Sequence, residues 1–170
     1  MISIERPGQS NLEIESILLD FDGTLAIDRR VHPKTKDKIN LLAKRTNIYI
    51  FVTLPTPPFN KGGKGGIFKE DLIEERLRKV KAEIIYLAEG DSSRRKLDLL
   101  RQLGPSRCVA IGNGADDAAI IEEAGIGICV IGKEGVSGGA IKNADLVFAD
   151  ILDALDFLLK PFRQKATLSK

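Results

Sequence analysis

The sequence predicts a three-layer, Rossmann-like α/β sandwich on a mostly parallel central sheet, folded as one domain over residues 1–170. Three observations predict it. Short apolar runs alternate with segments of helical period almost to the end of the chain. Those runs are continuously apolar rather than alternating, as in strands covered on both faces by crossover helices. A chain of 170 residues with 43% apolar and 29% charged side chains falls in the range of one domain with one sizeable core.

The elements follow in order. Residues 1–15 read as a β-hairpin added to the domain, covering a sheet edge. "SILLDF" is the first strand. "PKTKDKINLLAKR" is a helix opened by Pro33, with Ile39, Leu41 and Leu42 turned inward. "NIYIFVTL" is a strand rich in β-branched and aromatic residues. "LPTPPFNKGGKGG", residues 54–66, holds four Gly and three Pro and reads as a flexible insert, because it cannot bury enough surface to fold alone. Next come helix "KEDLIEERLRKVK", strand "EIIYLA", a helix from Ser92 to Leu103, strand "CVAIG", helix "ADDAAIIEEA" and strand "GICVI". A Gly-rich turn with a short helix, strand "LVFA" and a last helix from about Asp150 to Leu159 complete the chain.

Composition excludes several classes of function. A formal charge of +2 is too mild to indicate nucleic acid, and the four Lys/Arg of "SRRKLDLLR" are interleaved with an acid and leucines, as on a solvated helix face. No stretch approaches the roughly 18 apolar residues of a membrane span, and "MISIERPGQS" lacks the apolar core of a signal peptide, so a cytoplasmic protein is expected. Cys108 and Cys129 lie in apolar runs without metal-ligand spacing and read as reduced core thiols. His32 is the sole histidine, which leaves a Ser-His or Cys-His pair one candidate base. "GGKGG" is not a P-loop, since Gly65 follows Lys64 where Ser or Thr is needed.

In parallel sheets, ligands bind at the carboxyl ends of the strands. Three such ends are polar here: "LLDFDGT" with Asp20, Asp22 and Thr24; "IFVT" with Thr53; and "VAIGNGADD" with Asn113, Asp116 and Asp117. Asp20 and Asp22 repel each other unless a cation neutralises them or one stays protonated. Hard oxygen ligands suit Mg²⁺. Asp116 alone reads equally well as a helix cap. A metal beside a carboxylate points to phosphoryl chemistry, which also needs a hydroxyl and an ammonium for the remaining phosphate oxygens. Thr53, at a strand end, and Lys96, near a helix start, are placed to supply them.

"DFDGT" resembles the first motif of the haloacid dehalogenase-like hydrolases. Thr53 after "IYIFV" resembles their second motif, Lys96 in "GDSSRRKLDLL" the third and "IGNGADDAA" the fourth, in order over residues 16–160. Within that superfamily the chain resembles small soluble proteins related to the phosphorylation domain of P-type ATPases. The resemblance implies that Asp20 attacks phosphorus and forms an aspartyl-phosphate. It implies that Asp22 protonates the leaving oxygen and then activates water, its backbone carbonyl binding Mg²⁺. Thr53 and Lys96 would hold phosphoryl oxygens. The metal set would be Asp20, Asp22, Asn113 and Asp117. Asp22 stands where related pumps carry Thr, and an acid/base there marks a phosphatase. The chain departs from the family at Asn113, where many relatives have Asp, and at Asp116, where Asn is usual.

Family specificity usually resides in a cap domain. Here one helix and one strand fill Leu25 to Thr53, and a helix, a strand and the Gly-rich stretch fill Leu54 to Gly90, so no cap fits. The expected activity is Mg²⁺-dependent hydrolysis of phosphate monoesters. An open site accepts a phosphoprotein, or a phosphorylated small molecule enclosed by a neighbouring subunit of a homo-oligomer. The alternative is a catalytically weak phosphate- or Mg²⁺-binding regulatory module.

Overall fold

The computed structural model describes residues 1–6, 8, 10–28, 30–54 and 69–168. In chain order the elements are β1 (Ile2–Ile4), β2 (Leu12–Ile14), β3 (Ser16–Asp20), β4 (Ala26–Ile27), β5 (Arg30–Val31), α1 (Pro33–Leu42), β6 (Asn47–Leu54), α2 (Lys69–Arg76), β7 (Glu83–Ala88) and α3 (Ser92–Leu103). There follow β8 (Cys108–Gly112), α4 (Ala118–Glu123), β9 (Ile126–Val130), α5 (Gly138–Asn143), β10 (Leu146–Phe148), α6 (Ile151–Leu159) and α7 (Pro161–Leu168).

Six strands form the central sheet in the order β10-β9-β8-β3-β6-β7, every neighbour parallel. The chain winds outward from β3 through β6 to β7, then crosses back to β8 on the other side of β3. In open α/β sheets, ligands bind beyond the carboxyl ends of the strands at such a reversal, which here lies between β3 and β8. All five residues of β3 are buried. Alternation along the strand sends Ile17 and Leu19 to one face, where they meet Ile39 and Leu42 of α1 and Leu155 and Phe157 of α6 in one core cluster. Leu18 faces the opposite side and joins Phe51, Ala110, Leu100 of α3 and Ile120 of α4. Helices therefore cover both faces, and the fold is the expected three-layer α/β sandwich.

The structure corrects several details. Leu41 is 46% exposed while Ile39 and Leu42 are buried, because positions three apart share a helix face and positions two apart do not. The helix after the insert stops at Arg76, and the chain turns through Lys79 at φ +70°. Helix "ADDAAIIEEA" opens as a 3-10 turn over Ala115–Asp117. α7 was not expected. Its buried Gln164 donates from Nε2 to the carbonyls of Phe157 and Leu158, at 2.9 and 3.1 Å, and so satisfies backbone acceptors left open at the end of α6.

At the amino terminus β1 and β2 pair antiparallel, but they join neither edge of the large sheet. Glu15 connects them to β3, its N–H donating to the Arg107 carbonyl and its carbonyl accepting from Asn47, both at 2.9 Å. The hairpin thus covers the amino-terminal ends of the central strands rather than a sheet edge, with Ile2, Ile4 and Ile14 in the main core. Of the Pro/Gly-rich stretch, Leu54 ends β6 and residues 55–66 lie outside the described residues. No helix of the described residues is long and apolar enough to cross a membrane.

Candidate active site

Asp20 is the last residue of β3 and shares the strand face of Leu18, under α3. The Phe21 N–H donates to the Phe51 carbonyl at 3.0 Å, carrying the β3–β6 pairing one residue further. The chain then folds back, with Leu25 and Ala26 donating to the Phe21 carbonyl at 3.1 and 2.8 Å. Gly23 makes this turn possible at φ +75°, and a Cβ there would stand 2.4 Å from Asn113 Nδ2. Asp22 is left exposed at the tip while Thr24 is buried.

Lys96, in the second turn of α3, is 0% exposed. Its ammonium meets three carboxylates: Asp20 Oδ1 at 2.8 Å, Asp116 Oδ2 at 2.8 Å and Asp117 Oδ1 at 2.7 Å. All three of its donors are thereby engaged. Beneath it lies the Phe51 ring, whose centroid is 5.8 Å away. Ser92, at the start of α3, donates to Asp116 Oδ2 at 2.8 Å. Asp117 is tied from the other side, its Oδ2 accepting from the backbone of Asn113 at 3.0 Å and of Gly114 at 2.9 Å. Gly112 at the end of β8 admits this carboxylate, since a Cβ there would lie 2.3 Å from Asp117 Cγ.

The charges do not cancel. With every group ionised, three carboxylates and one ammonium carry a formal charge of −2. Burial, and then the Asp117 carboxylate, push Asp20 well above the ordinary range, against the pull of Lys96. Burial also raises Asp117, again opposed by Lys96. For Asp116, burial is outweighed by Lys96 and by the Ser92 hydroxyl, and the carboxyl is held low. Lys96 is itself opposed by burial, but Asp20, Asp117 and Asp116 together hold it protonated.

One carboxylate oxygen from each of Asp20, Asp116 and Asp117 lies within 4.8 Å of the other two. The donor set is hard oxygen and its charge deficit is that of one divalent cation, so the residues present fit Mg²⁺ or a similar ion. Asp116, which the sequence reads equally well as a helix cap or as part of the acidic site, belongs to this cluster. Ser92 escaped notice altogether because a Ser opening a helix looks like ordinary capping.

The other expected residues stand beside the cluster. Asn113 follows β8, but its side-chain oxygen accepts from Thr24 Oγ1 at 3.0 Å and its Nδ2 donates to the Gly135 carbonyl at 3.1 Å. It fastens the turn after β3 to the loop after β9. Asp22 and Thr53 line a small pocket with Phe21, Leu54, Leu72, Ile73 and Arg76. The structure thus gathers Asp20, Lys96 and Asp117 in one buried group and Asp22 and Thr53 in one adjoining pocket.

A scan of the chain against protein-family models finds no match. An uncharacterized protein of Methanocaldococcus jannaschii is 42% identical over 83 residues, which are 48% of this chain and 89% of that protein. Among solved structures, a Legionella pneumophila protein assigned to subfamily III A of the HAD hydrolases superposes with a TM-score of 0.65 at 18% identity, over 92% of this chain and 87% of that one. The 3-deoxy-D-manno-octulosonate 8-phosphate phosphatase of Moraxella catarrhalis, in complex with magnesium, phosphate and KDO, superposes with a TM-score of 0.60 at 18% identity over 87% of each chain. The cobalt-bound octulosonate 8-phosphate phosphatase of Haemophilus influenzae gives 0.63 at 15% identity, over 91% of each.

Proposed function

This chain has the haloacid dehalogenase-like fold and belongs to one family with the M. jannaschii protein, and from that premise we propose that it is a Mg²⁺-dependent phosphatase hydrolysing phosphate monoesters through an aspartyl-phosphate on Asp20. One observation carries the reading: Asp20 ends the central strand at the point where the strand order reverses, inside a carboxylate cluster that one ammonium leaves short of positive charge. Phosphatases of this fold bind magnesium in one solved case and cobalt in another.

In the proposed reaction an Asp20 carboxylate oxygen attacks phosphorus as the ester oxygen leaves. Asp22, exposed on the turn beyond, gives the leaving oxygen its proton and later takes one from water. The Thr53 hydroxyl, in the pocket with Asp22, donates to a phosphoryl oxygen. Lys96 holds Asp20 in position, and its expected contact with a phosphoryl oxygen requires it to give up one of its three carboxylate bonds. Mg²⁺ would be held by Asp20, the Asp22 backbone carbonyl and Asp117, with Asp116 and Asn113 alongside, and when bound it shields the incoming phosphate from the carboxylates. Hydrolysis of an aryl phosphate tests this. Wild type is expected to turn over with Mg²⁺ and stop with EDTA, and Asp20→Asn to be inactive with either.

The alternative, a catalytically weak phosphate- or Mg²⁺-binding module, draws on one observation. The Asn113 amide is neutral and already engaged by Thr24 and Gly135. Under that reading wild type shows no turnover with any divalent metal, and Asn113→Asp switches it on.

A further inference from the structure

Arg76 ends α2 and lines the same small pocket as Asp22 and Thr53. Its Nε is buried and has no hydrogen-bond partner among the described residues. A buried guanidinium N–H without an acceptor is uncommon and calls for a reason. The side chain is not placed there by a mobile end of chain. Leu77, the next residue, is buried at 3% exposure, and the turn that follows is clamped to α1 by Asn40, which donates to the Lys79 carbonyl at 2.8 Å and accepts from the Lys81 N–H at 2.7 Å.

The pocket has two chemically distinct parts. Asp22 and Thr53 face the proposed reaction, while Phe21, Leu54, Leu72 and Ile73 supply apolar wall and Arg76 the one cation among the described lining residues. Lys96 is not among the residues that line this pocket, and its ammonium lies with Asp20, Asp116 and Asp117 on the side of the reacting phosphoryl group. The Nε–H of a guanidinium and the adjacent Nη–H form a fork that matches two oxygens of a planar anion. Resting on the phosphatase reading, we propose that Arg76 is a specificity-determining residue that binds a second anionic group, a carboxylate or a further phosphate, on the leaving half of a small phosphate monoester. The apolar walls take the short carbon chain between the two anions.

The test measures binding, so it does not depend on turnover. In full-length Asp20→Asn with Mg²⁺, calorimetry would give affinities for ethyl phosphate, 2-phosphoglycolate and ethylene glycol bisphosphate. At least one of the two doubly anionic probes is expected to bind tenfold or more tighter than ethyl phosphate, and which one does so identifies the second group. Adding Arg76→Gln should collapse that ratio, and Arg76→Lys, which keeps the charge but loses the fork, should give an intermediate one. Equal affinities for all three probes without any change at Arg76 would overturn the proposal even if Arg76→Gln failed to fold. So would a ratio that Arg76→Gln leaves intact. Failure of the phosphatase reading shows separately, as absence of Mg²⁺-dependent aryl phosphate hydrolysis by wild type.

Discussion

At the scale of single residues, Lys96 is the side chain on which the site depends. It has no exposure and its partners are three carboxylates, so removing it leaves buried negative charge without compensation. Lys96→Met is expected to cost about 3–5 kcal/mol in urea denaturation without metal, with a large part recovered in Mg²⁺. The carboxyls themselves set a pH dependence. Asp20 and Asp117 are raised above the ordinary value of 3.8, so across the window from there up to their native values the folded state holds protons that the unfolded state has released. Their contribution to stability therefore declines as pH rises through that window. Asp116, lowered, acts in the opposite sense and loses its contribution as pH falls below the ordinary value. A divalent ion competes with the protons on Asp20 and Asp117, so the thermal shift produced by Mg²⁺ should grow as pH rises above the ordinary carboxyl value of 3.8. A shift that shrinks over that range would contradict the assignment of these acids.

At the scale of elements, the strand ends carry the information and the turns decide where each side chain goes. The paired acids of "DFDGT" were legible because two carboxylates after an apolar run have few structural uses. Their separation was not. Asp20 stays on the strand under Lys96, whereas the turn around Gly23 swings Asp22 out to the pocket, and that depends on Asn113 packing against a residue without a Cβ. The contact between Ser92 and Asp116 was hidden for the same reason. It joins α3 to the 3-10 turn after β8, two elements that only the folded sheet brings together. Gly23→Ala combines a positive φ with a steric conflict, so it should lower both stability and turnover, read by denaturation and by aryl phosphate hydrolysis.

At the scale of the whole molecule, the layered architecture was legible, while the strand order and the ends of the chain were not. Continuous apolar strands alternating with helices admit few arrangements besides a parallel sheet with both faces covered. The hairpin of β1 and β2 and helix α7 are specified by tertiary contacts, such as Ile14 in the main core and Gln164 on the last carbonyls of α6, which no local pattern announces. The hairpin closes the end of the sheet opposite to the acids. Ile14→Ala should therefore cost about 2–5 kcal/mol of stability while the folded fraction keeps its turnover. The proposed reaction forms its bond at the other end, between Asp20 and phosphorus. The most direct test is acid quenching of the Mg²⁺-loaded protein during turnover of an aryl phosphate, followed by mass analysis of the peptide containing residues 16–26. One phosphoryl group is expected on Asp20, more of it in Asp22→Asn and none in Asp20→Asn. Turnover with that peptide unmodified in every variant would contradict the proposed reaction.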